Sequence, residues 1–141
     1  MKFFLNISPP RATAQEKQVR IMPNGRPVFF DNRRVKEARA LLTEALKRFA
    51  PAAPMEGPVA LTSTWYYPTS KKKQDGLYKI TRPDTDNLQK LLKDCMTAVG
   101  FWKDDAQVVS EKVEKRWSLE RPGIEITITA LNAKTKGDGT V

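Results

Sequence analysis

Apolar residues recur with the spacing of a helix in two segments of the chain. The first segment runs from Val35 to Phe49; an Asp-Asn pair precedes it as a cap, and Pro51 ends it. The second predicts a helix from about Thr85 to Val99, with Gly100 placed to cap its C-terminal end. The apolar positions are Val35, Ala38, Leu41, Leu42, Ala45, Leu46 and Phe49 in the first helix, and Leu88, Leu91, Leu92, Cys95 and Val99 in the second.

Other segments alternate between apolar and polar residues, which is typical of a strand with one buried face. The alternation is clearest from Ile124 to Ile128, and it also runs from Val59 to Tyr67 with the odd-numbered side chains on one face. Asn24-Gly25 lies between two short apolar runs and predicts a hairpin. Two further strands are predicted at Lys2 to Ile7 and at Val108 to Trp117.

The predicted elements follow the order strand, hairpin, helix, strand, helix, strand, strand. This order predicts an α/β (α+β) fold in which two helices pack on one small mixed sheet. A length of 141 residues is typical of a single domain. We expect that domain to span residues 1–131, followed by a flexible tail over residues 132–141, which carries no large apolar side chain before Val141.

Composition excludes several classes of enzyme. The chain has no His and a single Cys, Cys95, which lies on the apolar face of the second helix. It therefore has no internal disulfide, no zinc finger, and no Ser-His-Asp or Cys-His hydrolase site. Any acid–base or metal chemistry must use carboxylates, Lys, Tyr or solvent.

The balance of charge indicates a polyanionic partner. The chain carries 25 Lys and Arg residues against 16 Asp and Glu residues, which gives a formal net charge of +9. Residues 1–50 hold 11 of the basic and 4 of the acidic side chains. Phosphates bind such surfaces because condensed counterions are released. The apolar run near the start is too short for a signal peptide or a membrane span, so we expect a cytoplasmic protein without a membrane partner.

Candidate catalytic residues are densest where the second helix begins. Asp84 precedes the helix, and Asp86, Lys90 and Asp94 follow at steps of one turn, on the side away from the apolar stripe. A purely structural interpretation is open, in which the first two carboxylates cap the helix and the remaining charges form a solvated ladder of salt bridges. These residues taken alone favour that interpretation.

A second acidic pair, Asp104-Asp105, follows the same helix. A helix of this length is about 22 Å long, so the pair lies at the opposite end from Asp84 even if the next strand runs back antiparallel. Joining the two groups of carboxylates requires either a chain reversal that the sequence does not reveal or a second subunit. The pair also has a plain structural interpretation, as a polar turn between a helix and a strand.

Five carboxylates lie between Asp84 and Asp105, which is unfavourable in a basic, phosphate-binding protein unless a cation offsets their repulsion. With oxygen ligands alone, the preferred ion is a hard one, Mg²⁺ or Mn²⁺. A hard cation, carboxylates and a basic surface together predict a metal-dependent phosphodiesterase.

The segment from Arg82 to Val108, about a fifth of the chain, resembles the signature of the RusA family of Holliday-junction resolvases. The family pattern is Asp-x-Asp-Asn-x-x-Lys, a helical Asp, and then Gly, an aromatic or aliphatic residue, and Trp-x-Asp-Asp-x-Gln-Val. The strands on either side agree with the rest of the family more loosely. The matching residues here are Asp84, Asp86, Asn87, Lys90, Asp94, Gly100, Phe101, Trp102, Asp104, Asp105, Gln107 and Val108.

The resemblance implies a homodimeric endodeoxyribonuclease that uses Mg²⁺, with Mn²⁺ as a substitute, and resolves four-way DNA junctions by paired symmetrical nicks. It implies a role in DNA recombination and repair, typically for a phage or prophage protein in the cytoplasm of a bacterial or phage-infected cell. By position, Asp84, Asp86 and Asp105 resemble the metal-binding carboxylates of the family. Lys90 resembles its catalytic lysine, and Asp104 an auxiliary carboxylate that is a further candidate metal ligand.

DNA binding requires basic residues outside that segment, because phosphate contacts position a protein on DNA. Each of these residues also has a plain interpretation as a solubilising surface charge. The last three of them form a run that we expect to be a mobile arm beside the site. The candidates are Arg11, Lys17, Arg20, Arg26, Arg33, Arg34, Lys71, Lys72 and Lys73.

Two other functions remain open. A metal-dependent nuclease of other branched DNA would use the same carboxylates, and only a panel of substrates separates it from a resolvase. A non-catalytic nucleic-acid-binding module would keep the basic residues and leave the carboxylates as helix caps. For a dimer, the aromatic residues from Trp65 to Tyr67 and at Phe101-Trp102 are the candidates for the interface.

Overall fold

The computed structural model of the protein describes residues 1–11, 17–21, 23–25, 27–31 and 33–132 of the chain. Each predicted helix and strand is found there, and the ends agree with the sequence prediction to within about two residues. Single-turn 3₁₀ helices lie at Lys72–Gln74 and Asp105–Gln107. The other elements are β1 (Lys2–Leu5), β2 (Lys17–Ile21), β3 (Pro27–Asp31), α1 (Arg33–Lys47), β4 (Val59–Pro68), α2 (Thr85–Val99), β5 (Val108–Ser118) and β6 (Gly123–Ala130).

Four strands form one mixed sheet in the order β1-β6-β4-β5. Strand β4 is parallel to β5 and antiparallel to β6, and β1 is antiparallel to β6. A parallel pair needs a long crossover connection, and α2 supplies it between β4 and β5. The predicted fold class, two helices packed on a small mixed sheet, is confirmed.

The predicted hairpin at Asn24-Gly25 is also confirmed. Strands β2 and β3 pair antiparallel from Lys17 opposite Asp31 to Ile21 opposite Pro27, and they form a second sheet of their own. Gly25 has a φ of 84°, a left-handed backbone conformation that glycine adopts without strain.

One face of the mixed sheet packs against both helices. The inward residues of β4 include Leu61, Ser63, Trp65 and Tyr67, as the alternation predicted. Helix α1 buries Val35, Leu42 and Leu46.

Leu41 does not belong to this core. It is one of the apolar positions that follow the helical period of α1, but its side chain is 51% exposed. Leu41 lies one residue from Leu42, which is about 100° of rotation around the helix. Helix α1 therefore contacts the core along a narrower face than its apolar residues cover.

Four of the five aromatic residues that were candidates for a dimer interface lie inside the protomer, and the fifth, Tyr66, is half-buried. Trp65, Tyr67, Phe101 and Trp102 are each at most 1% exposed. The indole N–H of Trp102 donates to the hydroxyl of Thr97 at 2.8 Å, so its polar atom is satisfied within the chain. The interface prediction is wrong for these four residues, because an aromatic pattern predicts burial without saying whether the covering surface is the same chain; for Tyr66 it stays a prediction.

Helix α2 has the predicted bounds and the predicted cap. Gly100 has a φ of 97°, and its N–H donates to the carbonyls of Met96 and Thr97. The face of α2 toward the core buries Leu88, Leu91, Leu92 and Cys95. Within the described ranges, no helix is long and apolar enough to cross a membrane.

Strand β5 runs back along α2. Lys93 in the second half of α2 pairs with Glu111 near the start of β5, with 3.1 Å between the nitrogen and the carboxylate oxygen. Further along β5, the ammonium of Lys115 donates to the carbonyl of Pro83, just before α2 begins. The start of β5 therefore lies at the C-terminal end of α2, and its later residues lie at the N-terminal end.

Candidate active site

The N-terminal end of α2 presents three charged side chains with no partner among the described residues. Asp84 occupies the N-cap position in an extended conformation, but its carboxylate accepts no capping hydrogen bond. Asp86 and Lys90 follow on the helix, and all three side chains are exposed. None of them forms a hydrogen bond or an ion pair with any residue that the structure describes.

The structural interpretation of these charges required a side-chain cap and a ladder of salt bridges. Neither is present among the described residues, since Asp94 pairs with Arg39 of α1 at 3.8 Å instead of with Lys90. Asp84 and Asp86 still gain from the helix dipole. Their oxygen atoms nevertheless remain free to bind a ligand.

Two lysines hold the backbone that leads into Asp84. Lys79 donates to the carbonyl of Thr81 at 3.3 Å, to its hydroxyl at 2.6 Å, and to the carbonyl of Arg82. Lys115 donates to the carbonyls of Thr81 at 2.6 Å and Pro83 at 2.7 Å. The segment before the first carboxylate is thereby fixed from both the preceding loop and strand β5.

Lys79 is an unusual member of this arrangement because it is only 8% exposed. Its ammonium lies 4.8 Å from the ring centre of Tyr67 and 5.1 Å from that of Trp117. Burial lowers the pKa of Lys79, and repulsion from Lys115 and Arg11 lowers it further. Contacts of the ammonium with carbonyl oxygens and aromatic rings offset part of the free-energy cost of burying its charge.

Sequence reasoning did not identify Lys79 or Lys115 as part of the site. A signal existed for Lys115, since it shares one face of β5 with Val113 and Trp117, which both pack against the core. No such signal marks Lys79, because its neighbours Tyr78 and Ile80 are apolar and yet exposed, at 59% and 93%.

Gln89 is a second residue that the sequence did not single out. It is 2% exposed and accepts a hydrogen bond of 2.7 Å from the hydroxyl of Ser63 on β4. That hydroxyl in turn accepts from the indole N–H of Trp65 at 2.9 Å. The network fixes the first half of α2, which carries Asp86 and Lys90, to the central strand of the sheet.

The second acidic pair lies at the other end of α2. Trp102, two residues before Asp104, is bonded to Thr97 in the last turns of the helix. Asp84 and the second pair are thus separated by about the full 22 Å length of a 15-residue helix. The described part of one protomer does not bring Asp105 together with Asp84 and Asp86.

The two members of the second pair differ in their surroundings. The carboxylate of Asp104 accepts from the N–H of Ala106 at 2.8 Å and caps the 3₁₀ turn. The side chain of Gln107 accepts from the backbone of Asp104 and donates to the carbonyl of Met55. Asp105 is exposed and has no partner among the described residues.

A divalent cation fits the donors at the start of α2. Asp84 and Asp86 offer carboxylate oxygens only, and Mg²⁺ is commonly held by one or two carboxylates together with waters and substrate phosphates. No group of three or more candidate ligands occurs within the ranges that the structure describes. A third ligand from Asp105 would have to come from a second copy of the chain.

The predicted DNA-binding residues are only partly described. Arg11, Arg33 and Arg34 are exposed, and Arg33 lies 4.0 Å from Glu37. The side chains of Lys17 and Arg20, all of Arg26, and the predicted tail beyond Asn132 lie outside the described residues.

The run Lys71, Lys72 and Lys73 was predicted to be a mobile arm. The three lysines are exposed, and Lys71 precedes the 3₁₀ turn at Lys72–Gln74 that contains the other two. The hydroxyl of Thr69 donates to the side chain of Gln74 at 2.8 Å, and the N–H of Gly76 donates to the β5 backbone at 2.9 Å. Hydrogen bonds thus flank the run on both sides, and the mobility of the three lysines stays a prediction.

Comparison with known proteins agrees with this fold and this site. A family model described as endodeoxyribonuclease RusA matches residues 8–129. The crossover junction endodeoxyribonuclease rusA of Lactococcus phage r1t is 32% identical over 132 residues, which cover 92% of this chain and 98% of the relative. The uncharacterized protein YqaN of Bacillus subtilis is 32% identical over 121 residues, 78% of this chain and 84% of the relative.

A shorter match with a higher identity exists to the crossover junction endodeoxyribonuclease RusA of Escherichia coli K12. It is 48% identical over 50 residues, which cover 36% of this chain and 42% of the relative. Together these findings define the class of the protein, an endodeoxyribonuclease. The chain belongs to the RusA family, which confirms the resemblance and the enzyme class predicted from the sequence.

Proposed function

We propose that the chain resolves four-way DNA junctions with Mg²⁺, cutting two opposed strands symmetrically, in DNA recombination and repair. The observation that carries this proposal is the group formed by Asp84, Asp86 and Lys90, which has no protein partner in the described residues and lies on a rigidly held backbone. Membership of the RusA family supports the substrate, since relatives are named crossover junction endodeoxyribonucleases.

The proposed roles follow from the chemistry of phosphodiester hydrolysis. Asp84 and Asp86 hold the metal ion, which when bound polarises the scissile phosphate and lowers the pKa of a bound water. Lys90 places a fixed positive charge where negative charge develops on the phosphate or the leaving oxygen. Lys79 and Lys115 do not touch the substrate in this proposal; they position Asp84.

We further propose that the protein acts as a homodimer. Asp105, and with it the cap residue Asp104, lies about one helix length from Asp84 in the same protomer. A second copy therefore has to supply Asp105 if it joins Asp84 and Asp86 in one site. A two-fold dimer also matches the approximate two-fold symmetry of a four-way junction.

The first experiment uses labelled four-way junctions beside linear, flap and nicked duplexes, each with Mg²⁺, with Mn²⁺ and with EDTA. We expect paired, symmetrical nicks on the junction only, and only with a divalent metal. Asp86→Asn and Lys90→Ala should each lower the cleavage rate by about 100-fold or more while junction binding persists. Glu44→Gln, an exposed carboxylate on α1, serves as the matched control and should cut normally.

Other outcomes would redirect the proposal. Cleavage spread over flaps and nicked duplexes would keep the metal site but replace the junction with branched DNA in general. Tight binding without any cutting would leave a DNA-binding module. Parallel loss of binding and cleavage in Asp86→Asn would contradict the role of that carboxylate.

A further inference from the structure

A cationic cavity lies beside the segment that carries Asp84. Its volume is about 320 Å³, and three of the side chains that line it are positively charged: Arg11, Lys79 and Arg82. None of its lining residues is acidic. Arg82 stands two residues before Asp84, which limits the distance between their Cα atoms to about 7 Å.

The charges that line the cavity itself are all positive, although Glu37 of α1 lies near Arg11 in an adjoining groove. Among the described residues, none of the three cations forms a salt bridge with a carboxylate. The nearby charges of Arg11 and Lys115 instead contribute to the lowered pKa of Lys79. Like charges held together without a counter-charge attract an anion.

Hydrogen bonds hold the segments that form the walls of the cavity. The hydroxyl of Tyr67 donates to the carbonyl of Pro10 at 2.7 Å, which fixes the backbone next to Arg11 to the end of β4. Lys79 is bonded to Thr81 and to the carbonyl of Arg82 on the opposite wall. Arg11 and Arg82 are therefore carried on two fixed segments that face the same cavity.

The chemistry of the cavity favours a phosphate over a nucleic-acid base. Tyr67 is 1% exposed, and the ammonium of Lys79 lies over the rings of Tyr67 and Trp117. The guanidinium groups of Arg11 and Arg82 are on exposed residues and are therefore accessible to a ligand. The planar fork of a guanidinium group matches the oxygens of a phosphate.

We propose that this cavity binds a backbone phosphate that flanks the scissile one, with Arg11 and Arg82 as its ligands. The proposal rests on the proposed function, because it assumes that the strand to be cut passes Asp84. It assigns a separate task to the cavity, which is to fix the register of that strand before cutting.

The test pairs a chemical change in the DNA with a change in the protein. Junctions are made with a single uncharged methylphosphonate at each phosphate near the cut, and affinity is measured in EDTA, where no cutting occurs. The proteins are the wild type, Arg11→Gln, Arg82→Gln and Arg48→Gln. The last is the matched control, because Arg48 is exposed and follows the far end of α1, whereas Arg11 lies beside Arg34 and Glu37 near its start.

We expect one methylphosphonate position to weaken wild-type binding about tenfold. Arg11→Gln and Arg82→Gln should each weaken binding to the unmodified junction by a similar factor and lower the slope of log K against log salt by about 0.9. On the junction that carries the methylphosphonate at that position, the two variants should bind as tightly as the wild type does. Arg48→Gln should respond to the methylphosphonate as the wild type does.

Additive losses at every position, or a loss in Arg48→Gln as large as in the cavity variants, would overturn the proposal. Thermal melting of each variant checks that the fold is unchanged. The cavity and the proposed function fail separately, since the cavity is judged by coupling in the binding assay and the resolvase by cleavage. If the wild type cuts junctions but shows no such coupling, only the proposal for the cavity is contradicted.

Discussion

Asp84 and Asp104 both stand immediately before a helix, yet only Asp104 caps one. The carboxylate of Asp104 accepts from the N–H of Ala106, whereas that of Asp84 accepts no hydrogen bond at its helix. An aspartate at an N-cap normally satisfies one of the free N–H groups. The carboxylate of Asp84 accepts no hydrogen bond from those N–H groups, so its oxygens are available to a metal ion.

This difference predicts opposite effects on stability for the same substitution. Asp104→Ala should lower the free energy of unfolding by about 1 kcal/mol, the usual cost of losing a cap. Asp84→Ala should show no measurable loss when urea unfolding is followed in about 1 M salt, which screens the helix dipole. Equal losses in the two variants would mean that Asp84 caps α2 after all.

Between elements, a buried polar network joins α2 to the sheet. Ser63 on β4 donates to Gln89 on α2 and accepts from Trp65, and all three side chains are buried. An apolar contact would hold the helix equally well, but it would allow the helix to slide along the sheet. Hydrogen bonds of fixed length set the position of the turn that carries Asp86 and Lys90.

Removing the shared hydroxyl should therefore be costly. Ser63→Ala leaves the carbonyl of Gln89 and the indole N–H of Trp65 without that partner, and we expect a loss of about 1–3 kcal/mol in the free energy of unfolding. Ser110→Ala makes the same chemical change at an exposed site on β5 and should have little effect. A Ser63→Ala variant as stable as Ser110→Ala would show that the network contributes nothing.

At the scale of the whole molecule, the two groups of carboxylates, Asp84 with Asp86 and Asp104 with Asp105, lie at opposite ends of α2. If a homodimer joins them, each site takes Asp86 from one chain and Asp105 from the other. Asp86→Asn and Asp105→Asn chains, each inactive alone, should then form a mixed dimer with one intact site. The other site of that dimer carries both substitutions.

Co-expression of the two variants with different affinity tags isolates this mixed dimer. We expect it to nick one strand of a junction at a time, where the wild type makes paired nicks, and a denaturing gel distinguishes the two products. A purified mixed dimer without any cleavage would contradict a site shared between chains. Activity in either variant alone would contradict the assignment of its carboxylate.

The sequence alone predicted most of the local structure. The bounds of α2, its glycine cap, the Asn24-Gly25 hairpin and the inward face of β4 all follow from short-range patterns, because periodicity and turn chemistry act over a few residues. The spacing of residues from Asp84 to Asp105 predicted the family, which the comparisons confirm. The roles assigned to those residues stay predictions.

Only the tertiary structure decided which of these residues lack partners and what surrounds them. Lys79 in a loop and Lys115 on β5 are 36 residues apart in the sequence, and both donate hydrogen bonds to the segment before Asp84. The burial of the aromatic residues and the exposure of Leu41 likewise depend on which surface covers each side chain. Contacts of this kind join residues distant in sequence, so no local pattern encodes them, whereas helices, turns and strand faces are fixed by neighbours along the chain.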